Sequence, residues 1–238
     1  VRFVCFYCIP DSSLFFIKKH CQQRPNEALH YNYLNQFNAP IPELYAYYSQ
    51  MCKQDIIITE VVKPLYVDDE PVFMTDREIF KPFVELTARF NSTTINKEYK
   101  DIIIKDYDLV EDGLKSLNKK ITSMFEQIET DPIYQSLKKG INGRMESRLL
   151  DILNKIYTRI KKMDKGLYHW DHKPRNMGWS ERQQKYVLFD LEDTLWGPRF
   201  YNIGMWIGGD DKDEEKYAPR EEIAKTYLDI YNERNKTN

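Results

Sequence analysis

Glycine is scarce in this 238-residue chain: there are nine, and the first is Gly113. This absence excludes a glycine-rich phosphate-binding loop from the first hundred residues. No apolar run approaches the roughly 20 residues that a membrane-spanning helix requires, so we expect no membrane partner. The opening VRFVCFYCIP is apolar, but it is too short and too alternating for a signal peptide. The net charge of −2 provides no basic excess, so we expect no nucleic-acid partner either.

Cysteine and histidine are also few, with four of each. Cys5 and Cys8 form a Cys-x-x-Cys pair, a spacing that invites a metal or redox interpretation. The surrounding sequence is typical of a β-strand, in which residues three apart point to opposite faces. Neither a shared zinc ion nor a disulfide then forms easily. We therefore expect both cysteines to be structural, in a reduced, cytoplasmic protein.

The first part of the chain has the patterns of a small sheet with one helix. Residues 1–62 predict a β-rich N-terminal lobe, which begins with a hairpin over residues 1–20. A short helix is predicted to start near Glu27, and QDIIITEVV predicts a later strand. Residues 63–70 are rich in proline and acidic side chains and predict a hinge or connector.

Residues 71–238 predict a mainly helical C-terminal lobe. Apolar side chains recur at helical spacing in three segments, Phe80 to Phe90, Leu114 to Ile128 and Leu149 to Ile160. The chain closes with a further predicted helix, REEIAKTYLDIYNER, after two short strands that flank a polar loop. A β-rich lobe joined to a helical lobe predicts an α+β fold with a ligand cleft at the joint.

The polar loop and the strand after it contain the residue types that phosphoryl transfer requires. The loop is HWDHKPRN, residues 169–176, and the predicted metal strand covers residues 186–193. Asp190 ends the strand 14 residues after Asn176, and a return of the chain would bring the two together. They would then offer the carboxylate and amide oxygens that Mg²⁺ prefers. Asp171 would be left to face a substrate hydroxyl as its proton acceptor.

The same residues resemble a known family. The pattern is His169-x-Asp171-x-Lys173-Pro174-x-Asn176. It resembles the catalytic loop of the eukaryotic-type protein kinase fold. The resemblance implies that Asp171 is the catalytic base and that Lys173 steadies the transferring phosphate. It also implies that Asn176 and Asp190 are the ligands of Mg²⁺.

The residues after Asp190 indicate a particular branch of that fold. The spacing of Glu192, Gly197 and Asn202 resembles the aminoglycoside phosphotransferase and choline kinase-like family. That family usually has aspartate at the position of Asn202, where the residue braces the loop. We expect solvated positions for Glu192 and Asp193, a buried bracing role for His169, and packing roles for the tryptophans.

The N-terminal segments agree with the resemblance. LFFIK resembles the third strand of a kinase small lobe, which makes Lys18 the phosphate-binding lysine and Glu27 its acidic partner. IIITEVV resembles the hinge strand, whose backbone would meet adenine at about Glu60 to Val62. The implied fold is bilobal and protein kinase-like, with a small β-rich N-lobe and a larger helical C-lobe. We expect the N-lobe to be incomplete at its start, or a glycine-free IPDSS loop to substitute.

The resemblance implies a phosphotransferase that uses ATP and Mg²⁺ to phosphorylate a hydroxyl of an aminoglycoside-, amino alcohol- or sugar-like molecule. A protein Ser/Thr kinase-like enzyme is an alternative, although Gly197 follows only seven positions after Asp190. A catalytically weak pseudokinase that binds a partner is another. A remote alternative is a metal-dependent hydrolase with His169, Asp171 and His172 as ligands. Nothing in the sequence predicts the oligomeric state.

Overall fold

In the computed structural model, the described residues are 2–8, 14–21, 27–50, 54–67, 70–95, 97, 109–132, 145–198, 200–207 and 218–236. Packing divides the chain into two compact units. One contains Val1–Asp106 and Lys165–Asn238, and the other contains Tyr107–Asp164. The predicted lobe boundaries at residues 62 and 71 remain a prediction.

A four-stranded antiparallel sheet opens the first unit. Its strands are β1 (Arg2–Cys8), β2 (Leu14–Cys21), β3 (Leu44–Gln50) and β4 (Gln54–Glu60), in the order β1-β2-β4-β3. The predicted hairpin and the strand predicted in QDIIITEVV are both confirmed. Along β4, Asp55, Ile57 and Thr59 are buried while the intervening residues are half-exposed, as expected for a strand with one face on a core. The side chains of Cys5 and Cys8 lie outside the described part of β1.

Helix α1 (Glu27–Asn35) confirms the predicted short helix and packs deeply. Ala28, Tyr31 and Leu34 are buried in the hydrophobic core. The backbone N–H of Ala28 donates to the Asp55 carboxylate at 3.3 Å, so β4 satisfies a donor at the start of the helix. This contact fixes α1 beside the sheet.

The predicted connector forms three short strands, β5 (Lys63–Pro64), β6 (Tyr66–Val67) and β7 (Glu70–Pro71). Helix α2 (Asp76–Thr93) follows and starts at a capping box between Thr75 and Glu78. The predicted apolar face of this helix is confirmed as core. Its buried members are Phe80, Phe83, Val84, Thr87 and Phe90.

The loop that the sequence singles out lies between short strands, as predicted. The strands are β8 (Lys165–His169), β9 (Met177–Ser180), β10 (Lys185–Leu188) and β11 (Thr194–Pro198). β8 pairs with β11, while β9 pairs with β10 and with β5. Helices α5 (Tyr201–Ile207) and α6 (Arg220–Lys236) close the unit, and α6 confirms the predicted last helix. The polar loop connects β8 to β9, and because each of these strands is paired, the loop is held at both ends.

The second unit contains α3 (Leu109–Thr130) and α4 (Met145–Lys161), which confirm two predicted helices. Phe125 and Ile128 of α3 are buried, whereas Leu149 and Ile156 of α4 are exposed. Of the helices that the structure describes, none is long and apolar enough to cross a membrane.

Candidate active site

Lys18 is the centre of a buried ion group. It lies on β2, opposite Ile57 of β4, and its ammonium nitrogen is 2.9 Å from a Glu27 carboxylate oxygen. The same nitrogen is 2.5 Å from Asp190 Oδ1 and 3.9 Å from Glu192 Oε2. The predicted contact between Lys18 and Glu27 is present. Three carboxylates from two distant parts of the chain therefore surround one cation.

The balance of burial and charge keeps Lys18 protonated. Burial lowers the pKa of this ammonium group, but the Coulombic attraction of Glu27 and then Asp190 opposes it. Hydrogen bonds to both acids add to that attraction, and the pKa ends above its usual value. The group is therefore a fixed positive charge at neutral pH.

Asp190 has a left-handed backbone conformation, with φ 61° and ψ 51°. Aspartate tolerates this region better than most residues, yet it costs about 1–2 kcal/mol relative to ordinary conformations. The neighbouring backbone is held in place, because the N–H of Phe189 donates to the Asn176 carbonyl at 2.9 Å. Burial raises the pKa of the nearby Tyr31 hydroxyl well above its usual value, and the negative charges of Glu27 and Asp190 add to this shift. Strained residues held by their surroundings are common at functional sites.

The Phe189–Asn176 hydrogen bond brings together the two segments that the sequence predicts to converge. Asn176 ends a 3₁₀ turn (Pro174–Asn176) and its side-chain nitrogen donates to the Asp171 carbonyl at 2.8 Å. The same nitrogen is 3.3 Å from Asp171 Oδ2. The amide is thereby oriented, and its Oδ1 is the atom that could bind a cation.

Asp171 and Lys173 form an ion pair at the outer side of this loop. Their side chains are 40% and 29% exposed, so both can meet a molecule from solvent. Trp170, which we expected to pack, is 43% exposed and stacks on Tyr201 with ring centroids 5.5 Å apart.

His169 lies beneath the loop and is fully buried, as predicted for a brace. Its Nε2 donates to the Phe189 carbonyl at 3.1 Å. Burial lowers the pKa of this imidazole, against the opposing charges of Asp190, Asp171 and Asp193. The charges of carboxylates from both the 169–176 loop and the turn after Asp190 therefore act on this ring.

His172 faces α2 rather than a metal position. Its ring stacks on Phe83 at 4.4 Å, and its Nε2 is 2.6 Å from the Thr87 hydroxyl. Since that hydroxyl donates to the Phe83 carbonyl, it accepts from His172. Burial lowers the pKa of His172 well below its usual value. Within the described ranges, no three His, Cys, Asp or Glu side chains are grouped to hold a metal.

Asn202 braces the loop, as predicted. It is fully buried on α5, and its amide nitrogen donates to the His169 carbonyl at 2.6 Å. A carboxylate could not donate to that carbonyl, so asparagine matches the partner found here. The departure from the family pattern therefore supplies a donor that an aspartate at this position would lack.

A cavity of about 340 Å³ opens beside Lys18, within the size range of small-molecule sites. The lining residues are Phe16, Lys18, Glu27, Tyr31, Pro42, Thr59, Glu60, Val61, Val62, Pro64, Phe189 and Asp190. Five of the eight predicted site residues are among them. The other three, Asp171, Lys173 and Asn176, lie on the adjoining loop and do not line the cavity. The cavity is apolar along its walls and charged at the Lys18 end.

The Glu60 side chain makes hydrogen bonds within the fold that the sequence does not reveal. Its buried carboxylate accepts hydrogen bonds from Ser180 Oγ at 2.6 Å, from the Glu43 backbone and from Gln183. The Glu60 backbone N–H is also taken, because it donates to the Glu43 carbonyl. Residues 61 and 62 line the cavity beyond Glu60 and belong to neither adjacent strand.

The prediction that Glu192 is solvated was wrong. Glu192 is only 6% exposed, because a 3₁₀ turn (Leu191–Asp193) follows Asp190 and places its side chain near Lys18. Sequence reasoning also missed Tyr31, which is buried against the cavity. Its position four residues after Glu27, on the same helix face, was the available signal.

Comparisons with known proteins give structural matches only. No family model and no curated protein sequence matches the chain. An aminoglycoside-3'-phosphotransferase of type VIII is similar with a TM-score of 0.50 and 14% identity, over 97% of this chain and 86% of that one. An aminoglycoside phosphotransferase from Alicyclobacillus acidocaldarius is similar with a TM-score of 0.53 and 14% identity, over 98% and 73%.

A Plasmodium vivax ethanolamine kinase is similar with a TM-score of 0.51 and 16% identity, over 96% of this chain and 66% of that one. At such low identity the likeness shows the fold. The chain has the α+β, protein kinase-like fold of these small-molecule phosphotransferases. The predicted fold class and the predicted resemblance are thereby confirmed.

Proposed function

We propose that this protein is a phosphotransferase that uses ATP and Mg²⁺ to phosphorylate a hydroxyl of a small molecule. The arrangement that carries the proposal is the link between Phe189 and Asn176, which joins the buried Lys18 group to the Asp171 loop. One end offers a cation and a cavity, and the other offers an accessible carboxylate. Phosphoryl transfer needs a cation beside the phosphate chain and a carboxylate that accepts the proton of the acceptor hydroxyl.

The cavity supports nucleotide binding. Its apolar walls, among them Phe16 and Phe189, suit a flat base, whose edge would meet the backbone at Val61 and Val62. Lys18 would bind phosphate oxygens, and Glu27 would hold its ammonium group in place. Lys18 would then exchange its contact with Asp190 for the phosphates, which frees that carboxylate for a metal.

Asn176 and Asp190 fit a magnesium site. Mg²⁺ in phosphotransferases usually takes one or two protein oxygens and completes its shell with phosphates and water. Asn176 Oδ1 is the amide atom not used by Asp171, and Asp190 presents a partly exposed carboxylate. When bound, Mg²⁺ would neutralise negative charge on the phosphates during transfer.

Asp171 is assigned as the proton acceptor for the substrate hydroxyl. Its carboxylate is accessible, and Asn176 fixes its position. Lys173, in contact with Asp171, is placed to neutralise charge on the phosphate as it transfers. Each residue thus has one role in a single displacement.

The segment after Asp190 favours a small acceptor over a peptide. Thr194 already pairs with His169 at the start of β11, so the chain returns to the sheet within four residues of Asp190. Protein kinases order their peptide substrate through a long activation segment at this point. The geometry supports an amino alcohol-, sugar- or aminoglycoside-like acceptor.

ATP consumption over a panel of aminoglycosides, amino alcohols, sugars and amino acids tests the proposal, with a peptide mixture as a further arm. We expect turnover with one class of small hydroxylated molecule, and stabilisation of the fold by Mg²⁺ with ATP through mass action. Stabilisation without turnover on any acceptor would indicate a pseudokinase. No stabilisation by nucleotide would reject the proposal.

A further inference from the structure

Histidine side chains hold the backbone on both sides of Asp190. The Phe189 carbonyl accepts from His169 Nε2 at 3.1 Å. The Leu191 carbonyl, on the other side, is 2.8 Å from Nδ1 of His30. Because a carbonyl oxygen only accepts, His30 carries its proton on Nδ1 and donates it to Leu191.

His30 belongs to a face of α1 that is linked to the Asp190 segment in two ways, through Lys18 and through a direct hydrogen bond. Glu27, His30 and Tyr31 are at positions i, i+3 and i+4, which lie on one side of a helix. Glu27 binds Lys18, which in turn binds the Asp190 carboxylate. Tyr31 lies on the same helix face and is buried against the cavity that Asp190 lines, and His30 bonds to the Leu191 carbonyl. The side chain of Asp190 and the peptide that follows it are therefore both held from the same helix.

We propose that His30 is a positioning residue for metal binding by Asp190. Its hydrogen bond to the Leu191 carbonyl fixes the peptide that follows Asp190, and so fixes the left-handed conformation that directs the carboxylate. This role rests on the proposed function, because it matters only if Asp190 holds Mg²⁺. His30 acts through Leu191 and touches neither metal nor substrate.

The burial of His30 makes the contact hard to replace. The residue is fully buried, so water cannot substitute for its donated proton. Its other ring nitrogen, Nε2, is buried without a hydrogen-bond partner in the described structure. The ring therefore makes one hydrogen bond, and its acceptor is the carbonyl of Leu191, the residue after Asp190. Without it, Asp190 can relax toward ordinary backbone conformations that turn the carboxylate away.

Two amide variants separate the position of the donor from the presence of a polar side chain. His30→Asn places its amide nitrogen where Nδ1 lies, whereas His30→Gln places it beyond, near Nε2. The readout is Mn²⁺ affinity, titrated by electron paramagnetic resonance with a non-hydrolysable ATP analogue present. We expect His30→Asn to bind close to wild type. We expect His30→Gln to bind roughly tenfold or more weakly, as when other supporting residues of metal ligands are lost.

Leu34→Val is the matched control, since Leu34 is fully buried on the same helix. We expect it to lower the melting temperature without changing Mn²⁺ affinity. Equal Mn²⁺ affinities in His30→Asn and His30→Gln would overturn the role of His30, as would an equal loss in Leu34→Val. Failure of the wild-type protein to bind Mn²⁺ with the analogue would reject the proposed function itself. The two failures are therefore distinguishable.

Discussion

Two ion pairs of this molecule place a lysine against a carboxylate in contrasting surroundings. The Lys18 and Glu27 side chains are 7% and 1% exposed, whereas those of Lys173 and Asp171 are 29% and 40% exposed. The first pair is built into the fold and orients a charge before any ligand arrives. The second is open to solvent, so a bound acceptor can rearrange it. In the proposed enzyme the nucleotide would meet the preorganised pair, and the acceptor would meet the open pair, which leaves the identity of the acceptor undefined.

The largest expected effect is on turnover, and it comes from Asp171 in the exposed ion pair. Asp171→Ala should lower turnover by roughly 10²–10⁴-fold, because the substrate hydroxyl loses its proton acceptor. Steady-state kinetics with the acceptor found in the panel measures this change. Asp193→Asn, on the neighbouring turn, is the control and should stay near wild type. Retained turnover in Asp171→Ala would show that another group takes the proton.

The same comparison predicts unequal effects on stability. Lys18→Met leaves Glu27 buried without its cation, which should lower the free energy of unfolding by about 3–5 kcal/mol. Lys173→Met removes an exposed pair, for which about 0–1 kcal/mol is expected. Denaturant unfolding of both variants gives the two values. Similar losses would contradict the distinction between a buried and an open pair.

Asp190→Asn tests the proposal that Asp190 is a ligand of Mg²⁺. The variant keeps the shape of the side chain but removes its charge, and so weakens its attraction for a divalent cation. We expect the Mg²⁺ concentration for half-maximal activity to rise roughly tenfold or more. Unchanged Mg²⁺ dependence would remove Asp190 from the ligand set.

A further expected effect is a pH dependence of stability from the buried histidines. Burial lowers the pKa of His30, His169 and His172 in the folded protein. Below about pH 6.5 the unfolded chain binds protons that these folded imidazoles do not, so stability falls as pH falls. The slope is at most about 1.4 kcal/mol per pH unit for each histidine.

The matched variant for this effect is His172→Gln, which removes one titrating group beneath the loop. Denaturant unfolding at pH 7.5, 6.5 and 5.5 should show a shallower loss in the variant than in the wild-type protein. Identical slopes would mean that His172 is not held neutral in the folded state.

The residue types of Asp171, Asn176 and Asp190, which lie within 20 residues, were enough to predict that the loop and the following segment converge. Lys18 and Glu27 were identified through a resemblance that rests on their spacing, and their roles in nucleotide binding stay predictions. The burial of Glu192 and the bond from His30 to Leu191 could not be predicted, since they depend on segments 161 or more residues apart. Local patterns specify which side chains a segment presents, and tertiary packing decides what they meet.

A crystal structure with Mn²⁺ and a non-hydrolysable ATP analogue would test the central claim most directly, because anomalous scattering locates the metal. We predict the ion between Asn176 Oδ1 and the Asp190 carboxylate, with Asp171 facing the terminal phosphate. A metal bound elsewhere, or a nucleotide outside the cavity beside Lys18, would contradict the proposed site.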